Sequence, residues 1–192
     1  IDSISKKVTV SPLPVTGFTI PDNCVSDAFV QFIDTSTIAD KTESLFSYQW
    51  NFGDANANAG NPNTSTQQNP KHSYTAVGNY NVSLTVTSSA GCNTSVTQPF
   101  VINGKTPQSI FTISGGSQQC SNNQVTVVNN STVDFGNIVK LEIFWDYAND
   151  PTNKTTIVRP VAGASFGHTY PEFFSPASKA YNITVVAYSG VS

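Results

Sequence analysis

Charge is what this sequence has least of: 9 Lys and Arg and 12 Asp and Glu in 192 residues, 11% in all, for a net charge of −3 and a pI near 5.1. That balance leaves no basic patch, which removes the electrostatic basis for nucleic-acid binding. Methionine is absent and histidine occurs twice. No apolar run reaches membrane-spanning length, and no signal-peptide pattern opens the sequence, so it reads as a mature or excised segment. Amphipathic helical periodicity is also missing. What fills the space is Ser, Thr and Asn, about a third of the residues, a composition of short strands with hydroxyl-rich surfaces. The length accommodates one large domain or two of about 90 residues, each with a modest core.

The organising stretch is 46–87. Phe46, Tyr48, Trp50 and Phe52 alternate with Ser47, Gln49 and Asn51, the period of a half-buried strand. After an Asn- and Thr-rich loop, Tyr80, Val82, Leu84 and Val86 alternate with Asn81, Ser83, Thr85 and Thr87. Two such segments form neighbouring strands of one sheet.

These residues also carry a resemblance. Trp50-Asn51-Phe52-Gly53-Asp54, His72-Ser73-Tyr74 and the run from Gly78 through Tyr80, Val82, Leu84 and Val86 closely resemble the signature of the PKD (polycystic-kidney-disease) repeat, with Ala55 in place of the usual Gly. The resemblance implies an immunoglobulin-like β-sandwich used as a non-catalytic extracellular module. It names no ligand.

The pattern recurs. Cys24 and Cys120 are 96 residues apart, Trp50 and Trp145 95, His72 and His168 96, and Tyr80 and Tyr181 101. Repetition in phase, with short strands throughout, predicts an all-β chain of two tandem immunoglobulin-like, PKD-type sandwiches. The expected divisions are an end strand and linker of a preceding repeat at 1–14, with the alternating run from Ile4 to Val10 as that strand, a first sandwich at 15–103, and a second, divergent one at 104–192. On this alignment Cys92 corresponds to position 193, so the second copy is expected to stop before its partner cysteine and its last strand.

Three cysteines leave one unpaired. In the sandwich that the resemblance implies, Cys24 and Cys92 lie near loop ends, and a bridge between them would stabilise by roughly 3 to 5 kcal/mol in the chain-entropy model. That pairing favours an oxidising compartment. Cys120 has no basic or His neighbour in sequence to activate it.

Three motifs invite a chemical reading. Gly163-Ala164-Ser165-Phe166-Gly167 fits the G-x-S-x-G elbow of hydrolases, but no helix follows and no parallel sheet is predicted, so it is read as coincidence. His72 and His168 each precede a Tyr by two residues and have no second ligand at metal spacing, which favours local hydrogen bonding over metal binding. Asp54, Asn56 and Asn58 present oxygens at alternate positions, as calcium loops do, and form one candidate metal site. Ser65 stands where a bidentate Glu belongs, and a flexible Asn-rich turn is the competing reading. Otherwise the sequence calls for no cofactor. The Asn-x-Ser/Thr triplets at Asn81 and Asn182 are those expected by chance in such a composition.

The copies differ most on the outward face of the central sheet. If Trp50 and Leu84 point inward, Gln49, Thr85 and Thr87 point out; at the matching places stand Phe144, Val186 and Tyr188. An aromatic patch on a face that should be wet is a candidate ligand-binding surface for a protein or a sugar polymer. The alternative is cover by the loop bearing Phe173 and Phe174 or by a neighbouring domain. The expected function is therefore non-catalytic: a spacer and adhesion segment of a larger secreted or cell-surface protein, bacterial by its resemblance. The alternative is an accessory targeting module of a secreted hydrolase. Expected partners are neighbouring repeats of the same chain and extracellular protein or polysaccharide, with no nucleic acid and no membrane insertion.

Overall fold

The computed structural model describes residues 3–190. Among them are fifteen β-strands and one short 3-10 turn, Glu43–Leu45. The first nine strands are β1 (Phe18–Thr19), β2 (Asn23–Cys24), β3 (Val30–Gln31), β4 (Ile33–Asp34), β5 (Ser47–Asn51), β6 (Thr64–Ser65), β7 (Lys71–His72), β8 (Gly78–Thr87) and β9 (Asn93–Asn103). The remaining six are β10 (Phe111–Ile113), β11 (Gln124–Asn129), β12 (Lys140–Asp146), β13 (Asp150–Val158), β14 (Ser165–Thr169) and β15 (Thr184–Tyr188). They gather into two compact units. The first holds the residues up to Pro21, Ala28–Thr75 and Asn79–Phe100; the second holds Asp22–Asp27, Ala76–Gly78 and the chain from Val101 onward.

In the first unit β9, β8, β5 and β6 are neighbours in that order, and the pairs β1–β4 and β3–β7 complete the strands. Alternation decides the faces: Val82, Leu84 and Val86 are fully buried, and Trp50 pairs with Leu84. Phe18 meets Trp50 edge-on at 5.0 Å and Phe32 stacks on Phe52 at 5.1 Å. Trp50 fits this dry interior because its Nε1–H donates to the Gln67 carbonyl at 2.9 Å. Between β3 and β4 the Phe32 N–H donates to the Pro70 carbonyl at 3.0 Å. After β5 the chain turns at Gly53, whose φ of 66° puts a would-be Cβ 2.5 Å from the Asn81 carbonyl oxygen. Only glycine fits there.

In the second unit β2 runs parallel to the end of β9, with Asn23 opposite Ile102 and Cys24 opposite Asn103. Two three-stranded sheets, β10-β11-β14 and β13-β12-β15, enclose Val125, Val127, Leu141, Ile143, Trp145, Tyr170, Val185 and Ala187. β13, which composition hid behind Asp150-Pro151-Thr152-Asn153-Lys154, is nine residues long and lies at a sheet edge.

Two expectations are corrected. Ile4 to Val10 forms no strand, and Ile4, Val8 and Val10 are more than three-quarters exposed; alternation alone does not make a strand without a ladder partner. The central strand is also shifted by two residues. Trp50 pairs with Leu84 in the first unit, whereas Ile143 pairs with Val185 in the second, so Ile143 takes the place expected for Trp145.

Candidate functional site

Each unit is held by a ring of aromatic contacts around one tyrosine. Tyr74 donates its O–H to the Phe52 carbonyl at 2.8 Å, while His72 stacks on Phe52 at 4.4 Å. Tyr170 donates likewise to the Trp145 carbonyl, and His168 stacks on Trp145 at 4.8 Å. Burial, with Asp54 and Tyr80 adding to it, pushes the Tyr74 phenol up; burial, with Asp146 and Tyr181, pushes Tyr170 up to about 12. These phenols are structural donors. His72 differs from His168 in one respect: its Nε2 lies 3.0 Å from Asp54 Oδ2, and both side chains are buried. The two-residue shift puts Tyr147 at the matching place, so His168 has no carboxylate opposite it, and burial alone lowers its pKa.

Of the candidate calcium-loop residues, Asp54 and Asn58 have side-chain oxygens engaged in hydrogen bonds. Asp54 Oδ1 accepts the Asn56 N–H at 2.9 Å and Oδ2 meets His72, while Asn58 Oδ1 accepts the N–H groups of Gly60 and Asn61. Asp54 thus faces the interior, away from where a hydrated ion would enter. Ser165 lies on β14 opposite Val128. Three residues apart on a strand, Ser165 and His168 point to opposite faces, which removes the nucleophile–base pair that an elbow needs.

The expected disulfide is not formed. Cys24, Cys92 and Cys120 are free. Cys24 sits opposite Asn103, the last residue of β9, and Cys92 immediately precedes Asn93, the first. Eleven strand residues at about 3.4 Å each separate the two positions, against the few ångströms between Cα atoms that a bridge requires. The buried Cys24 Sγ instead meets Ser26 Oγ at 3.1 Å.

The aromatic face expected of the second copy lies on the sheet β13-β12-β15. Register places Phe144, Glu142 and Lys140 of β12 opposite Thr184, Val186 and Tyr188 of β15, and opposite Lys154, Thr156 and Val158 of β13. Phe144, Val186 and Tyr188 therefore share one face. The face is less apolar than predicted, because Lys140, Glu142 and Lys154 lie between them. Lys154 Nζ lies 2.9 Å from Glu142 Oε1, and Tyr188 donates to Glu142 Oε2 at 2.9 Å. Lys140 Nζ stands 3.7 Å above the Tyr188 ring. Hydrogen bonds from Lys154 and Tyr188 hold the Glu142 carboxyl below its ordinary range. Phe144 is only 8% exposed, whereas Tyr147, edge-on to it at 5.0 Å, is 51% exposed. Tyr147 was missed because it lies just past the strand, and Lys154 because β13 itself was missed. The alternation of Lys140, Glu142 and Phe144 was the available signal for the charged residues. In the first unit the same positions are polar: Gln49 pairs with Thr85, and Ser47 with Thr87.

Comparison with known proteins places this geometry. Residues 12–103 match the family model described as PKD domain. The chain is 30% identical to the PKD1 domain of the Vibrio cholerae metalloprotease PrtV, over 48% of this chain and 98% of that one, with a TM-score of 0.37. To the PKD1 domain of Vibrio anguillarum Epp it is 29% identical, over 48% and 96%, with a TM-score of 0.39. It also resembles, at 15% identity and a TM-score of 0.41, a chain from a study of carbohydrate-binding modules of the β-sandwich superfamily, over 95% of this chain and 98% of that one. With the tryptophan strand, the His-x-Tyr contacts and the alternating β8 all in the matched segment, the chain belongs, through residues 12–103, to the PKD domain family.

Proposed function

We propose that the chain is a non-catalytic segment of a larger secreted or cell-surface protein, with PKD-like domains in tandem at 15–103 and 104–192, which spaces its neighbours and adheres to an extracellular polymer. The outer face of β13-β12-β15 carries the reading. Two aromatic rings of the second unit, Tyr147 and Tyr188, reach solvent beside Lys140 and Lys154, whereas the first unit presents amides and hydroxyls there. Rings supply rigid area for stacking, and ammonium groups supply donors for hydroxyls or carboxylates. A second reading, an accessory targeting module of a secreted hydrolase, is favoured by the identity to a domain of a metalloprotease.

The test is binding of the chain to a panel of insoluble polysaccharides and matrix proteins, beside Tyr147→Ala/Tyr188→Ala. Adhesion supported by this face predicts at least a tenfold loss in the double variant with its melting temperature nearly unchanged. Retention of no panel member by the unaltered chain leaves spacing as its role. Equal binding by the variant removes the face from the account.

A further inference from the structure

The two central sheets differ in how their inner strand is flanked. In the first unit β8 is ten residues long and lies between β5 and β9. Its counterpart β15 is five residues long and ends its sheet, pairing among the described residues only with β12. The Ala187 N–H, pointing away from β12, is taken up by Ser109 Oγ at 3.0 Å. By strand alternation the N–H and C=O of Val185 point to that same edge. The counterparts of Tyr80 and Val82, which lie inside β8, are Tyr181 and Ile183, which precede β15 and form no strand.

A cavity of about 510 Å³ opens beside this edge, lined by Ile113, Val125, Tyr170, Phe173, Tyr181 and Ile183 among others. Its place has a filled equivalent. In the first unit β9 sends Phe100, 6% exposed, into the core, where its ring lies 5.5 Å from Tyr74 and 6.2 Å from Phe32. Tyr170, the counterpart of Tyr74, lines the cavity and stacks on Tyr181 at 3.9 Å, as Tyr74 meets Tyr80 at 4.3 Å.

From the open edge and the adjoining cavity together, we infer that the second unit is an acceptor for one further β-strand, a peptide segment with the pattern of β9. It pairs along residues 181–185 and sets a phenylalanine-sized side chain into the cavity, as Phe100 does in the first unit. Backbone hydrogen bonds along the edge supply affinity, and the cavity selects the side chain. Pairing also draws Tyr181 and Ile183 into a longer β15.

The probe is this chain's own strand. The full chain is extended after Ser192 by a copy of residues 88–103, so that turn and strand are presented at high effective concentration, and a second extension carries Ser at the copied Phe100 position. Amide exchange is followed at Ile183 and Val185, with alkylation of Cys120, which lines the cavity. The phenylalanine extension is expected to slow exchange at both amides at least tenfold, to slow Cys120 alkylation, and to raise the melting temperature of the second unit, while the serine extension does none of these. Unchanged exchange and alkylation with the phenylalanine extension would show that residues 171–180 already close the edge, and would overturn the inference. So would equal protection by the serine copy.

Discussion

Trp145 lies flat against His168, 4.8 Å between ring centroids at 14°, in the relation that Phe52 has with His72 at 4.4 Å and 16°. The pairing places Trp145 at the end of its strand and leaves Ile143 to fill the centre. In its actual position the indole N–H reaches Thr155 Oγ1 at 2.9 Å.

Burial lowers the pKa of His168, so between its folded value and about 6.5 the unfolded chain binds more protons than the folded one. Stability from this group is therefore present above pH 6.5 and lost as pH falls through the folded pKa. The melting temperature of the second unit should fall between pH 7 and 5, and His168→Gln should flatten that slope. Melting curves of both proteins at four pH values check it.

Tyr74 and Tyr170 both keep their phenols protonated above the usual value. The sign is opposite to that of His168: stability is full below pH 10 and is lost as pH rises further. Tyr74→Phe should cost about 1 to 2 kcal/mol at pH 7, through the orphaned Phe52 carbonyl, and should weaken the alkaline transition. Urea unfolding at pH 7, with an alkaline titration followed by phenolate absorbance, measures both.

Gly53→Ala should destabilise the first unit by about 2 kcal/mol or more, since φ is positive and the added methyl meets backbone rather than a flexible side chain. Gly91→Ala, with φ of 82° but nothing within 4 Å, should cost less. Denaturant midpoints of the two variants give the ordering.

With three free thiols, reducing agent should leave the melting temperature unchanged, and mass spectrometry after denaturing alkylation should count three modified cysteines. Cys24→Ser should cost more than Cys92→Ser, because Cys24 is buried. Similar, large losses from both substitutions, with a melting temperature that falls in reducing agent, would place a bridge back in the fold.

Lys154→Ala should change stability by less than about 1 kcal/mol, since its pair with Glu142 is solvent-exposed. The same variant should weaken any binding through the outer face, and that binding should diminish as salt is raised. Retention measured at low and high ionic strength separates the two effects.

Alternation made the first unit readable. Trp50, Leu84 and Val86 were legible as core because each is a large apolar residue between polar ones on a ladder whose partner follows the same rule. The second unit hid two things. β13 is polar on both faces from Thr152 to Thr156, so its strand character there comes from pairing with β12 rather than from its own composition. The shift of Trp145 was invisible because repeat spacing fixes sequence distance but not which residue meets Val185. The outer face was half legible: parity put Phe144, Val186 and Tyr188 together, but the lysines and Glu142 that tie them down became neighbours only through β13. The disulfide failed for a geometric reason, since the length of β9 separates its two ends.

β13 has a bearing on how the molecule behaves in company. Its exposed edge carries Pro151, which has no N–H to give, and Lys154, whose charge two aligned copies would have to bring together. Such an edge refuses a neighbour, while β15 at the opposite side of the sheet carries neither residue. With a strand accepted at β15 as inferred above, growth into a fibril, which needs both sides of the sheet, would stop at the guarded margin of β13.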